Sequence, residues 1–316
     1  MKPEQAQIAC LVNMEDPQSV LEEVKTVVST MMPAFDFEPL NRTFRDVVRL
    51  FHGKYPGYRK CNTEYHDLKH TTDALLAMTR LIHGAVVNEQ IFSEKDVELG
   101  LISALLHDTG YIQTIDENVG TGARYTLTHI SRSILFMEKY LSEHGYSRED
   151  IEACRAILEC TGLTVKTSDI SFGSAQIEML GKMLGTADLL GQMADRTYLE
   201  KLPFLYREFE EGDVAGFENE LNLLEKTPGF YEMTIERFER ELGGVYRYMR
   251  DHFRVRWGID EDLYMTSIRD KMKYLKYILE NHEHDYRQHL RRATLMKKLD
   301  RMDKQREVKT SSRARR

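Results

Sequence analysis

Apolar residues in this chain recur at three- and four-residue intervals almost throughout, and no segment alternates convincingly with a period of two. Helix is the regular element that such a pattern supports, so the expected fold class is all-α. The stop and start signals agree. Asp16-Pro17 offers an N-cap followed by proline at the first helical position, with Ser19 and Glu22 as an alternative capping box, and that helix should end near Met32-Pro33. A second helix is expected from Glu38 to Phe51, and a third from Glu64 to His83. Ser93 with Asp96 and Ser147 with Asp150 each read as a capping box opening a further helix. Helix interruptions are expected at Pro203 (a kink), at Pro228-Gly229 and at Trp257-Gly258.

With 316 residues, the chain is long enough for one large helical domain with extensions. The expected division is an N-terminal helical cap (1–60), a core (61–212), a long C-terminal helical extension (213–290) and a basic, flexible tail (291–316). The tail carries eleven Lys/Arg against three Asp/Glu, a balance of +8 within a total of −7, so the remaining residues carry −15. Such a tail reads first as solvated chain, and nucleic acid is not expected as a partner. Ile268, Met272, Leu275, Leu279, His282 and Tyr286 form a four-three stripe that could join two copies as a homodimer through the C-terminal helices. The four cysteines lack CxxC pairing, the N-terminus lacks a secretory apolar core, and no run reaches the length of a membrane span. The expectation is a cytoplasmic protein with free thiols and no membrane partner.

Several polar residues interrupt apolar helical patterns. His107-Asp108 closes the run Ala104-Leu105-Leu106 before Gly110, which reads as a glycine stop. His66 and His70 lie four apart, as residues on one helix face would. Asp188 sits inside Leu184–Leu190, where an uncompensated charge costs several kcal/mol. His129 opens a helix after a polar loop. Imidazoles and carboxylates together suit a divalent ion such as Mn²⁺, Fe²⁺, Mg²⁺ or Zn²⁺. Two of each would leave coordination positions open, the mark of a catalytic site.

The order His…His-Asp…Asp, on helical segments from Tyr65 to Glu208, resembles that of the HD-domain superfamily of metal-dependent phosphohydrolases. Tyr65-His66-x-x-x-His70-x-x-Asp73 is further similar to the signature of its cyclic-nucleotide phosphodiesterase branch. The resemblance implies an HD-domain helical bundle in which His70, His107, Asp108 and Asp188 hold one metal ion. Asp108 would bridge to a second ion, with His129 as its further ligand. His66 would protonate the leaving alkoxide, and water activated by the metal would attack a phosphoester of a nucleotide or cyclic nucleotide. After His107-Asp108 the chain reads Thr109-Gly110-Tyr111, where animal-type phosphodiesterases continue Asp-His-Pro-Gly, so the substrate does not follow from the resemblance.

Gln192 and Arg196, just past the last ligand, are candidate substrate contacts, Arg196 being suited to phosphate. The alternative for this stretch is a surface N-cap with its salt bridges. The alternatives for the chain are a nucleoside-monophosphate phosphatase and a metal-binding signalling module whose catalysis has lapsed.

Overall fold

Fourteen α-helices are joined by short 3₁₀ turns in the structure, a computed structural model that describes residues 7–313, with side chains for 7–292 and 294–304. No strand occurs among the described residues; Tyr58 and Thr114 form an isolated antiparallel bridge. The fold is all-α. The helices are α1 (Ile8–Leu11), α2 (Pro17–Met31), α3 (Glu38–Phe51), α4 (Leu68–Val87), α5 (Glu94–Leu106), α6 (His129–Glu143) and α7 (Arg148–Glu159). They continue as α8 (Ala175–Ala194), α9 (Tyr198–Glu211), α10 (Glu220–Glu239), α11 (Tyr248–Trp257), α12 (Leu263–Asn281), α13 (Tyr286–His289) and α14 (Leu295–Arg313).

Helix α4 is the centre. Every residue from His70 to Ala85 is buried, and α2, α5, α8 and α11 surround it. A helix covered on all sides belongs to the interior of a large core. One continuous apolar cluster joins α4 to the N-terminal helices through Val20, Val24 and Leu40, and to the C-terminal ones through Phe238, Met249 and Leu275. No break in packing separates the 1–60, 61–212 and 213–290 segments.

Local chemistry explains the boundaries. Asp16 caps α2 by accepting from Gln18 N and Ser19 N, so the Asp-Pro signal is the one used. Both serine capping boxes form as expected. Helix α4 begins later than the pattern suggests, because Asp67 is its N-cap and accepts from His70 N. His66 therefore precedes the helix instead of sharing a face with His70. Pro203 lies inside α9, which is helical on both sides of it, and α10 runs unbroken through Pro228-Gly229. Leu223, Leu224 and Thr227 before that pair, and Thr234 and Phe238 after it, are all buried. Their packing outweighs the one backbone donor that proline lacks. The stop after Trp257 is real: Gly258 takes the left-handed conformation at φ 67°.

Two C-terminal expectations change. In α12, Ile268, Leu275 and Ile278 are buried against the chain's own helices, and the helix ends at Asn281, before His282 and Tyr286. The basic segment expected as a flexible tail is helical over Leu295–Arg313. It docks on α9, where Arg207 pairs with Asp303 at 2.5 Å, and Lys298 pairs with Glu64 in the segment before α4. Residues 1–6 and 314–316 lie outside the described residues. Cys154 and Cys160 are buried, and all four thiols are free. Among the described residues no helix is long and apolar enough to cross a membrane.

Candidate metal centre

Four helices deliver the sequence-identified residues to one point. The Asp67 cap sets the first turn of α4 so that His70 is buried against α8. His107 immediately follows α5, and its Nδ1 lies 2.8 Å from Ala104 O. A carbonyl only accepts, so Nδ1 carries the proton and Nε2 is left bare toward the site. Asp108 then sits at a break between α5 and a 3₁₀ turn over Thr109–Tyr111. Asp188 projects from the middle of α8.

Around His70 Nε2 stand Asp108 Oδ2 at 3.1 Å, Asp188 Oδ1 at 3.1 Å and His107 Nε2 at 3.3 Å. His107 Nε2 is in turn 3.5 Å from Asp108 Oδ2 and 3.7 Å from Asp188 Oδ1. His70, His107 and Asp108 bring one ligand atom each within 4.8 Å of one another. Asp108 Oδ2 is buried without a hydrogen bond, since His70 stands near it without the required alignment. Lone pairs from four side chains thus converge on a space where a positive charge is needed. Burial pushes His70 down, but Asp108 and Asp188 outweigh it and raise it to about 10; His107 is raised for the same reasons. Burial also opposes ionisation of Asp108 and Asp188, but the two imidazoles hold both carboxylates well below their ordinary range. These residues fit a divalent cation, which would take the place of the protons.

Gly110 is not a helix stop. A Cβ there would lie 2.0 Å from His129 O, so the missing side chain lets the start of α6 close down on the turn. Gly110 N also donates to Ser133 Oγ at 2.8 Å. This approach places His129 Nε2 4.0 Å from Asp108 Oδ1, the oxygen turned away from His70. His129 Nδ1 is held by Thr126 O at 2.6 Å, so Nε2 is again the bare nitrogen. Burial pushes the His129 imidazole down, which keeps it neutral and able to ligate.

His66 lies at the edge of the cluster. Its ring stacks on Tyr111 at 4.3 Å, and Tyr111 stacks on His129 at 4.7 Å. His66 Nδ1 donates to Glu208 Oε2 at 2.6 Å, while Glu208 Oε1 accepts from Glu64 N and Tyr65 N. Sequence reading missed Glu208 as a functional residue; it lies in an apolar-periodic helix, and nothing local marks it. The side chains of His66 and His129 are 12% and 23% exposed against 5% or less for His70, His107 and Asp108. The Asp188 side chain is 13% exposed, so the cluster is closed where His70, His107 and Asp108 stand.

Gln192 and Arg196 part company. Gln192 Nε2 donates to Asp188 Oδ1 at 2.7 Å and its Oε1 accepts from Tyr65 at 3.0 Å, so its amide is engaged in orienting Asp188. Arg196 is exposed and lines a different cavity, of about 840 Å³, with Lys69, Asp195 and Lys271. None of the cluster residues lines that cavity. Asp73 is likewise absent from the cluster and pairs with Lys69 at 2.6 Å.

A family model described as Npun_R2479-like matches residues 116–243. That stretch holds His129, Asp188 and Glu208 but not His66, His70, His107 or Asp108. No curated protein matches the chain, and no solved structure does. The His70, His107 and Asp108 cluster is compatible with an HD-type metal site.

Proposed function

We propose that the protein is a metal-dependent phosphohydrolase of the HD type, cleaving a phosphoester of a nucleotide or cyclic nucleotide. The observation that carries this reading is Asp108 Oδ2, buried, without a hydrogen bond and facing two imidazole nitrogens. Structural cores rarely gather two imidazoles and two carboxylates this closely, because each buried charge must be compensated. His70, His107, Asp108 and Asp188 would hold the ion, and His129 with Asp108 Oδ1 is arranged as a bridged second position would be. A bound divalent ion supplies Lewis acidity, polarising a phosphoryl oxygen and acidifying water.

The chain's own groups divide the remaining work. Glu208 fixes the His66 ring with Nδ1–H donated, so His66 Nε2 is the atom free to serve the leaving oxygen. A histidine off the metal suits proton transfer near neutral pH. Tyr111 covers one ring face and keeps the imidazole from turning. Tyr65 and Gln192 hold Asp188 in place.

The test is metal analysis of purified protein, followed by turnover of bis(p-nitrophenyl) phosphate and a panel of cyclic and linear nucleotides with Mn²⁺. Asp108→Ala should lose both metal and turnover. His66→Asn should keep the metal and lose turnover by about 10²–10⁴-fold. Protein that binds no Mn²⁺, and whose melting temperature is unmoved by it, would sink the assignment. Metal binding with no turnover of any substrate leaves a metal-binding module instead.

A further inference from the structure

Outside this centre, the turn between α12 and α14 gathers a second set of ligating side chains. His282 Nδ1 lies 3.6 Å from Asp285 Oδ1, and His289 Nε2 lies 3.5 Å from Asp285 Oδ2. The two imidazole rings are stacked with centroids 3.7 Å apart. The three residues bring one ligand atom each within 4.8 Å of one another. Ligand atoms around a tetrahedral zinc ion with bonds of about 2.0 Å stand about 3.3 Å apart, so a set lying within 4.8 Å closes on one ion by drawing together by about 1.5 Å at most.

Two features point to a cation. Asp285 Oδ1 is buried and has no hydrogen-bond partner. The Tyr277 hydroxyl lies 3.1 Å from His282 Nε2, and when it accepts from that nitrogen the Nδ1 lone pair faces the carboxylate. Such an outer partner fixes the tautomer in the way that metal-ligating histidines use. The backbone is also fastened, since the Tyr274 hydroxyl donates to His289 O at 2.9 Å.

We propose that His282, Asp285 and His289 form a second metal site, selective for an imidazole-preferring transition ion such as Zn²⁺, with the fourth position open to water or His284. His284 Nε2 is 3.8 Å from Asp285 Oδ1 and its ring is exposed. The site braces the C-terminal segment. Between the ligands lie Tyr286, whose hydroxyl donates to Glu220 Oε2 at 3.1 Å, and Arg287, which reaches Glu220 and also Asp303 at 3.0 Å. An ion holding both ends of this short loop fixes the two side chains that tie α13 to α10 and α14.

The experiment uses the full chain, stripped of metal and titrated with Zn²⁺. His282→Asn/His289→Asn should bind one equivalent fewer than the wild type, and Asp285→Asn should weaken the same equivalent. In wild-type protein, Zn²⁺ should protect His282 and His289 from diethyl pyrocarbonate by several-fold, leaving exposed His52 as reactive as before. Trypsin cleavage within 291–304 should slow several-fold with Zn²⁺ in the wild type only. Equal zinc content in wild type and double variant, or modification of both histidines unaffected by Zn²⁺, overturns the site; cleavage that ignores Zn²⁺ overturns the brace.

Discussion

His66 and Glu208 are 142 positions apart and meet at 2.6 Å, and the consequences of that contact belong to single residues. Glu208 also accepts two backbone N–H groups, so its carboxylate is anchored before it touches the imidazole. Glu208→Gln keeps the size of the side chain but removes the charge that holds the His66 proton on Nδ1. Under the proposed function, kcat for bis(p-nitrophenyl) phosphate should fall by about 10²-fold with bound metal unchanged. Equal loss of metal would mean that Glu208 supports the ligands instead. Gly110→Ala tests the neighbouring contact: a methyl 2.0 Å from His129 O cannot be absorbed without moving α6. Urea unfolding should show a loss of about 1–3 kcal/mol. The cluster was legible in the sequence because His70, His107, Asp108 and Asp188 are polar groups within or at the end of apolar helical runs. Glu208 and Tyr111 were not, since each looks like an ordinary helix or loop residue until the chain folds.

At the scale of elements, polar side chains that reach between helices do much of the ordering. Arg237 of α10 is buried and donates to the carbonyls of Cys160 and Gly162 through Nη2, and of Leu163 and Val165 through Nη1, at 2.8–3.2 Å. Gly162 O also accepts from Val165 N at 3.1 Å, so the guanidinium joins a turn that is already closed and ties it to α10. Arg237→Met retains most of the apolar length and deletes all four bonds. It should cost about 3 kcal/mol in urea unfolding, the range expected for charge-assisted bonds whose buried acceptors are left bare. Increased proteolysis at 160–165 should accompany it. A loss under about 1 kcal/mol would show that water replaces the guanidinium. The same element explains why boundaries were harder to read than helices. Capping boxes at Ser93 and Ser147 are local chemistry and were visible. The passage of α10 through Pro228-Gly229 depends on residues packed on either side of it, which periodicity alone does not weigh against a breaker.

For the whole molecule, the segments read from sequence as cap, core and extension share one interior, and its α4–α11–α12 junction carries a pH liability. Arg80 is fully buried there, with Nη1 donating to the Tyr264 hydroxyl at 2.9 Å and the guanidinium over the Phe253 ring at 5.3 Å. His252 is fully buried beside it, its ring 4.9 Å from His83, and neither ring nitrogen has a hydrogen-bond partner. Burial pushes His252 far below its ordinary value, and Arg80, His83 and Arg256 add to the effect. His83 is lowered too, by burial and then Arg256. The folded state therefore cannot take up the proton that the unfolded chain binds below about pH 6.5. For a histidine depressed in the native state, stability falls as pH drops through that unfolded value, by about 1.4 kcal/mol per pH unit for each proton. Replacing His252 by Phe removes one such proton and fills the same flat space against His83 and Phe253. Between pH 6.5 and pH 5 the wild type should lose about 2 kcal/mol more than His252→Phe in urea unfolding, while the buried carboxylates that titrate in this range affect both proteins alike. Parallel loss in the two proteins would mean that His252 takes up its proton in the folded state, through a rearrangement that lets water into the junction.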